Sequence, residues 1–218
     1  MHLASEIDTV LLDMDGTLLD LHYDNHFWQE YVPSQYAHKT HLPLVQAKHH
    51  VFAQYAKVTG SLDWYCYDYW SATLGLDIHQ LQHKTKHKIQ LRSDTLWFLE
   101  YLKRLNKRVI LLTNAHRSGI DLKMQECGIS AYFEAIVSSH DYRVAKENLK
   151  FWQQVAKLHK LDFKRSLFID DSEKILLVAQ QAGVAHLRGI KTPDSEKPAQ
   201  EMQFFQTIKL FSDLLAEK

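Results

Sequence analysis

Short apolar runs alternate with amphipathic stretches along most of the chain. The runs have strand length, whereas in the stretches between them apolar residues recur every three or four positions, the spacing of a helix that buries one face. The predicted strands are Thr9–Leu12, Arg108–Leu112, Ala135–Ser138, Ser166–Ile169 and Ala185–Leu187. The predicted helices are Asp94–Asn106, Ser118–Glu126, Glu147–His159, Ser172–Ala182 and Glu201–Ala216. This alternation predicts an α/β fold, a parallel sheet with helices on both faces.

Residues 21–91 interrupt the alternation. They are rich in Trp, Tyr, His and Gln and contain no convincing strand, so they are predicted to form several helices, punctuated by Gly60 and Gly75. One crossover between parallel strands needs about a dozen residues, and this segment is far longer. We therefore expect a core of residues 1–20 plus 92–218 and an inserted α-helical cap of residues 21–91. Residues 192–200, with two prolines, are expected to form a surface loop.

Composition narrows the possible partners. Among the 218 residues, Lys+Arg and Asp+Glu both number 26, so the formal net charge is zero. No general electrostatic attraction to nucleic acid polymers or to anionic membranes is expected. The N-terminus does not resemble a signal peptide, and no apolar run approaches the ~20 residues that span a bilayer. Together with two widely separated cysteines, Cys66 and Cys127, these features predict a cytoplasmic protein. A monomer and a small homo-oligomer both stay open.

Polar residues follow three of the predicted strands directly. Asp13 and Asp15 come after the first strand, and their spacing puts both carboxylates on the same side of an extended chain. The pair Thr113–Asn114 follows the second strand, and the pair Asp170–Asp171 follows the fourth. Each pair alone could be turn chemistry. Because parallel strands end at one edge of a sheet, we expect these groups to converge there, where open α/β sheets bind ligands.

These segments, in this order, resemble the haloacid dehalogenase superfamily. The matching stretches are Val10–Thr17, Leu111–Asn114, Lys146 and Phe168–Ser172. The commonest members of that superfamily are magnesium-dependent phosphohydrolases, so the resemblance implies phosphomonoester hydrolysis through an aspartyl-phosphate. It assigns Asp13 as the nucleophile and Asp15 as the general acid and base. Dehalogenases of the superfamily lack the second aspartate, since a halide needs no proton donor, so the resemblance favours a phosphatase.

The resemblance also implies a Mg²⁺ site and a phosphate site. The ligands would be Asp13, the main-chain carbonyl of Asp15, and one or both of Asp170 and Asp171, with Asp171 as the primary ligand. Oxygen ligands of this kind suit Mg²⁺.

The phosphate would be bound by the Thr113 hydroxyl and the Asn114 backbone amide, and Lys146 would neutralise its charge. The family pattern has proline after this lysine, whereas this chain has Glu147, so Lys150 and Arg143 are alternatives to Lys146.

The segment from Trp64 to Trp70 contains five aromatic residues in seven positions. Together with the first motif, Thr113–His116 and Thr192–Ser195, it resembles bacterial purine 5'-nucleotidases that act on GMP and IMP. Aromatic faces suit a purine base, and the same rings could instead form the small core of the cap. The candidate substrate contacts are Asp24, Trp64 and Tyr69, besides Thr113 and Asn114.

Other interpretations stay open at this point. A sugar phosphate or another small metabolite could be the substrate, a phosphomutase would share all four motifs, and a non-catalytic phosphate-binding module could use the same scaffold. His79, His83 and His87 recur at four-residue spacing, which would align them on one helix face. A solvated face is favoured over a metal site there, because the spacing lacks convergent ligands.

Overall fold

The computed structural model describes residues 5–215. Their strands form a parallel sheet with the order β3-β2-β1-β4-β5-β6. The strands are β1 (Thr9–Leu12), β2 (Arg108–Thr113), β3 (Ala135–Ser138), β4 (Ser166–Asp170), β5 (His186–Ile190) and β6 (Thr207–Ile208). The order reverses beside β1, so β1 and β4 flank a topological switch point, the usual ligand position of an open α/β sheet.

Helices cover both faces of this sheet. They are α6 (Thr95–Arg104), α7 (Arg117–Cys127), α8 (Ser139–Tyr142), α9 (Leu149–His159) and α10 (Glu173–Gln181). Alternate residues of β1 pack into different clusters: Val10 and Leu12 join the cluster containing Phe98 of α6, whereas Leu11 joins the cluster containing Trp152 of α9. Burial on both faces explains why the strands are continuous apolar runs. The predicted α/β class is confirmed.

Residues 21–91 contain the helices that precede α6. These are α1 (His22–His26), α2 (Val32–Thr40), α3 (Leu44–Val58), α4 (Tyr67–Leu74) and α5 (Ile78–Thr85), with a π-helical turn at Phe27–Tyr31 and 3₁₀ turns at Leu62–Tyr65 and Lys86–Lys88. A separate apolar cluster, which includes Phe27, Tyr55 and Trp70, holds them together. Gly75, at φ +62°, ends α4 in the left-handed conformation. Residues 21–91 are called the helical segment.

The helical segment leaves and rejoins the sheet core through two adjacent strips of chain. Asp20 N–H donates to Gln90 O at 2.9 Å, and Arg92 N–H donates to Leu18 O at 3.0 Å. Leu19 also forms an antiparallel bridge with Leu91. Backbone hydrogen bonds between these two strips therefore hold the two ends of the helical segment together.

Within residues 5–215, no helix is long and apolar enough to cross a membrane.

The predicted helix Glu201–Ala216 is wrong over its described part, and Ala216 lies outside the described residues. In its place the chain forms the edge strand β6 and a 3₁₀ turn, Phe211–Leu215. Its apolar side chains pack at different places; the Phe211 ring, for example, stacks on the Phe98 ring with centroids 4.4 Å apart. These contacts do not lie along one helix face, although the spacing of the apolar residues in the sequence suggested one.

Candidate active site

The turn after β1 carries the first two acidic residues to the carboxyl edge of the sheet. Asp13 N–H donates to Ile169 O at 3.0 Å, which extends the pairing with β4 by one residue. The turn continues through Gly16 at φ +82°, where a Cβ atom would lie 2.6 Å from Asp171 Oδ2. Glycine therefore serves both the left-handed turn and the close approach of the second acidic pair. Asp13 and Asp15 both line one cavity.

Lys146 lies at the centre of this edge with its side chain 1% exposed. Its Nζ donates to Asp13 Oδ1 at 2.5 Å, to Asp170 Oδ2 at 2.7 Å and to Leu112 O at 3.1 Å. The alternatives that the sequence left open, Arg143 and Lys150, are both exposed. Lys146 is thus the cation that the fold brings to Asp13.

Three carboxylates converge beside this ammonium. Asp13, Asp170 and Asp171 each offer an oxygen within 4.8 Å of the others. Burial raises the pKa of Asp13 to about 7 although Lys146 acts in the opposite direction, and burial raises the pKa values of Asp170 and Asp171 as well. Burial would lower the pKa of Lys146, but the carboxylates outweigh it and raise that pKa. With all three carboxylates ionised, the group carries more negative charge than Lys146 alone balances, and its oxygen donors suit a hard divalent cation.

Thr113 and Asn114, at the end of β2, line the same cavity. The Thr113 hydroxyl oxygen accepts a hydrogen bond from Ala115 N–H at 3.0 Å. Asn114 Oδ1 accepts from Lys146 N–H at 2.9 Å, and Asn114 Nδ2 donates to Glu147 Oε2 at 2.8 Å. The Asn114 side chain therefore holds the loop that carries Lys146.

Glu147 connects the sheet core to the helical segment. Its Oε1 accepts a hydrogen bond of 2.8 Å from the Tyr65 hydroxyl. No role for Glu147 was predicted from the sequence, although its presence where the family pattern has proline was the available signal. A proline could not have accepted this hydrogen bond.

Lys123 of α7 is a further residue of the site that the sequence motifs did not indicate. Its side chain is 1% exposed, and Nζ donates to Asp15 Oδ1 at 2.7 Å and to Asp24 Oδ1 and Oδ2 at 2.7 and 2.9 Å. Burial would lower the pKa of Lys123, but the two carboxylates outweigh it and raise that pKa. The sequence feature that could have indicated Lys123 is its alignment with Ile120 and Cys127 on the apolar face of a predicted helix. Asp24 lines the cavity, but both of its oxygens contact Lys123.

The cavity has a volume of about 350 Å³ and lies between the sheet edge and the helical segment. The sheet edge just described supplies polar lining. The helical segment adds aromatic side chains to the lining: Trp28, Tyr55, Trp64, Tyr65, Tyr67 and Trp70. Several of them belong to the apolar cluster of the helical segment as well, so the same rings form that core and line the cavity.

Two aromatic residues, Trp64 and Tyr69, were predicted to contact a substrate, and they differ in their position relative to the cavity. Trp64 lines the cavity, and its main-chain oxygen accepts a 2.9 Å hydrogen bond from Trp70 Nε1. Tyr69 is not part of the lining among the described residues; its ring packs edge-on against Trp70 with centroids 4.9 Å apart. Tyr69 therefore contacts the Trp70 ring from outside the cavity lining, whereas Trp64 contributes to that lining.

The three evenly spaced histidines do not share one α-helix. His79 and His83 lie in α5, which ends at Thr85, and His87 lies in the following 3₁₀ turn. His83 and His87 are exposed.

Comparisons with known proteins agree with this geometry. A family model described as haloacid dehalogenase-like hydrolase matches residues 7–183. The GMP/IMP nucleotidase YrfG of Escherichia coli (strain K12) is 44% identical over 190 residues, which are 87% of this chain and 86% of that protein. The protein of the same description from Shigella flexneri matches with the same values.

Solved structures share the fold at low sequence identity. A HAD phosphatase from Thermococcus onnurineus superposes with a TM-score of 0.81 at 19% identity, covering 96% of this chain and 97% of that one. A predicted phosphoglycolate phosphatase from Haemophilus somnus 129PT gives a TM-score of 0.70 at 17% identity, covering 97% and 98%. The sheet order, the matched residues and the identity to the curated relatives lead to one conclusion: the chain belongs to the haloacid dehalogenase-like hydrolases and is a phosphatase among them.

Proposed function

We propose that this phosphatase hydrolyses purine nucleoside 5'-monophosphates, GMP and IMP among them, to nucleoside and phosphate with Mg²⁺ as cofactor. The observation that carries the proposal is the cavity itself. Its lining combines carboxylates and Lys146, suited to a phosphate and a cation, with aromatic rings such as Trp28 and Trp64, suited to a flat base. The 44% identity to a GMP/IMP nucleotidase supports the same substrate class.

The donor set fits Mg²⁺. Asp13, Asp170 and Asp171 offer carboxylate oxygens within 4.8 Å of one another, and the absent side chain of Gly16 leaves room for Asp171 to approach. Asp13, Asp171, the main-chain carbonyl of Asp15 and Asp170 would hold the ion, with Asp171 as the primary ligand among the last pair. Bound there, Mg²⁺ supplies neutralisation of the phosphoryl charge.

Asp13 is the nucleophile in the proposed reaction. Its carboxylate oxygen attacks phosphorus, a P–O bond forms, and the bond from phosphorus to the ester oxygen breaks. Lys146, 2.5 Å from Asp13 Oδ1, fixes the carboxylate and counters the charge of the incoming phosphate. Thr113 donates its hydroxyl hydrogen, and Asn114 its backbone N–H, to phosphoryl oxygens. Such preorganised donors act without reorganisation during the reaction.

Asp15 moves the proton in both steps. It protonates the leaving 5'-oxygen, and it then takes a proton from the water that attacks the aspartyl-phosphate and releases phosphate from Asp13. General acid–base help of this kind is worth about 10²–10⁴-fold in rate. Lys123 and Asp24 hold the Asp15 side chain at the cavity wall through the shared ammonium.

In this proposal the helical segment acts as a cap. It covers the polar end of the cavity, excludes water and contacts the base, as lids do in other enzymes.

The first experiment measures phosphate release with Mg²⁺ across GMP, IMP, AMP, pyrimidine nucleoside monophosphates and several sugar phosphates. We expect kcat/KM for a purine 5'-monophosphate to exceed that for the sugar phosphates by at least about tenfold, since base stacking contributes about 1–3 kcal/mol. Faster turnover of sugar phosphates would keep the chemistry and overturn the base recognition. No release from any substrate would overturn the proposed activity.

A pair of variants tests the nucleophile. Asp13→Asn removes the attacking oxygen with little change in shape, and kcat should fall by about 10⁴–10⁶-fold, as for nucleophiles in other enzymes. Asp8→Asn is the matched control, because Asp8 is exposed and pairs with Arg165 away from the cavity. Comparable activity in the two variants would contradict the role of Asp13.

A further inference from the structure

A second group of metal-binding side chains lies where the helical segment meets the sheet core. Cys66 directly precedes α4, Asp68 is in the first turn of α4, and His116 directly precedes α7. One donor atom from each of the three lies within 4.8 Å of the other two. No sequence pattern indicates this group, because Cys66 and His116 are fifty positions apart.

The His116 ring is held by its neighbours with Nε2 turned toward Asp68. His116 Nδ1 lies 2.9 Å from Ser118 Oγ, while its Nε2 lies 3.5 Å from Asp68 Oδ2. Histidine that binds a metal through Nε2 carries its hydrogen on Nδ1, and it almost always donates that hydrogen to a neighbouring acceptor. His116 Nδ1 can accept from Ser118 N–H at 3.4 Å or donate to Ser118 Oγ at 2.9 Å, and a metal ion bound at Nε2 selects the second arrangement.

The carboxylate is also oriented by a neighbour. His79 Nε2 lies 2.8 Å from Asp68 Oδ1, and His79 Nδ1 lies 2.9 Å from the same Ser118 hydroxyl. One hydroxyl thus contacts both imidazole rings and turns both Nε2 atoms toward Asp68. Orienting contacts of this kind around the ligands are typical of metal sites.

We propose that Cys66, Asp68 and His116 bind a borderline-soft divalent metal ion, represented by Zn²⁺, at a site separate from the catalytic carboxylates. Ligand atoms of tetrahedral Zn²⁺ at 2.0–2.3 Å from the ion lie roughly 3.3–3.8 Å from one another. The distance from His116 Nε2 to Asp68 Oδ2, 3.5 Å, already falls in this range. The Cys66 thiol loses its proton on binding. A thiolate and an imidazole select Zn²⁺ or Co²⁺ over Mg²⁺.

Access to this site is open. The Asp68 side chain is 73% exposed, and that of His116 is 18% exposed, so an ion can enter from solvent. Two ligands belong to the helical segment and one to the sheet core, so the bound ion links the two. This link opposes separation of the helical segment from the sheet, and it slows turnover if product release needs that separation, a consequence that rests on the proposed function.

The test uses Co²⁺ as a spectroscopic substitute for Zn²⁺. The full-length protein is titrated with Co²⁺ in the presence of excess Mg²⁺, which occupies the carboxylate site. We expect a thiolate-to-Co²⁺ charge-transfer band that saturates at one ion per chain and is displaced by one equivalent of Zn²⁺. This readout is independent of enzymatic activity, so failure of the proposed nucleotidase reaction would leave it unchanged.

Variants assign the band to its ligands. Cys66→Ser should abolish it, whereas Cys127→Ser, which changes the other cysteine, should leave it intact. Ser118→Ala keeps every ligand and should weaken binding by about 10–100-fold, as loss of an orienting contact does elsewhere. His83→Gln, on the exposed side of α5, should have no effect. Absence of the band, its survival in Cys66→Ser, or its loss in Cys127→Ser would overturn the proposal.

Discussion

Lys123 Nζ lies 2.7 Å from Asp15 Oδ1, and the same buried ammonium contacts both carboxylate oxygens of Asp24. The contact joins α7, the turn after β1 and the start of the helical segment. A carboxylate that transfers a proton must keep one position relative to the substrate, and this shared cation supplies a fixed partner for Asp15.

Replacing Lys123 by methionine keeps the length of the side chain and removes its charge. The two half-buried carboxylates then lack their cation, so the free energy of unfolding should fall by about 1.5–3 kcal/mol, the range for hydrogen bonds to charged groups. If Asp15 has the proposed acid–base role, kcat should fall at least about tenfold, because a misplaced proton donor is costly. Urea denaturation and steady-state kinetics measure the two effects.

The matched control is Lys86→Met. Lys86 pairs with Glu126 through a side chain that is 44% exposed, and exposed pairs contribute about 0–1 kcal/mol. Equal losses of stability and activity in the two variants would contradict the role of Lys123. Adding Asp24→Asn to Lys123→Met should restore part of the stability, since one unpaired carboxylate is then neutral.

The strands of the sheet could be predicted from the sequence, whereas the contacts of Lys123 could not. The strands were predictable because both faces are buried, which leaves uninterrupted apolar runs such as Thr9–Leu12. The motif residues were predictable because parallel strands end at one edge. The Lys123–Asp15 contact joins positions 108 residues apart, and no local pattern records such a pairing. The two-residue strand Thr207–Ile208 is likewise too short to show a period of two.

Removal of the proposed Mg²⁺ should stop the reaction and lower the free energy of unfolding. Chelation is expected to abolish phosphate release, and Mg²⁺ at 100 times its dissociation constant should stabilise the fold by about 2.7 kcal/mol. Asp171→Asn should lose this stabilisation, whereas Asp63→Asn, at an exposed position, should keep it. Thermal unfolding with and without Mg²⁺ makes the comparison. A full Mg²⁺ response in Asp171→Asn would show that the ion binds elsewhere.

The position of Trp64 in the cavity predicts a selective loss of affinity. Trp64→Leu should raise KM for a purine 5'-monophosphate at least about fivefold, because base–aromatic stacking contributes about 1–3 kcal/mol. KM for a small sugar phosphate should change little. Tyr69→Leu is the control, since Tyr69 packs on the same Trp70 ring without lining the cavity. Equal effects of the two substitutions would mean that packing, not base contact, is responsible.

The hydrogen bond between Tyr65 and Glu147 should couple the helical segment to the sheet core. Burial, and secondarily the nearby Glu147 charge, raises the pKa of Tyr65, so its hydroxyl stays protonated and donates throughout the neutral range. A double-mutant cycle with Tyr65→Phe and Glu147→Gln should give a coupling free energy of about 1–3 kcal/mol, the range for hydrogen bonds to charged groups. Additive effects on stability would show that the contact contributes nothing.

Asp20 predicts a pH dependence of stability. Burial would raise its pKa, but hydrogen bonds from Ser195 and from the His22 backbone outweigh it and hold that pKa below its ordinary value. The ionised carboxylate therefore stabilises the fold above about pH 4, the ordinary value, and this contribution is lost as the pH falls through the lower folded value.

Asp20→Asn lacks this contribution at every pH. The difference between the unfolding free energies of the wild type and the variant should thus be constant near neutrality and shrink below about pH 4. Urea denaturation between pH 7 and pH 3 measures it. If this difference grew on acidification, the folded state would raise the pKa of Asp20, and the hydrogen bonds from Ser195 and His22 could not be its cause.

The two strips of chain that tie the helical segment to the sheet core, around Leu19 and Leu91, lie side by side. An insert whose ends are adjacent can be exchanged for another of different length without stretching or shortening any connection within the sheet. A chimera that carries a foreign helical insert in place of residues 21–91 would preserve the carboxylates and Lys146 of the sheet edge while replacing the aromatic lining of the cavity. The same adjacency allows a lineage of such enzymes to change specificity by recombination at two neighbouring points.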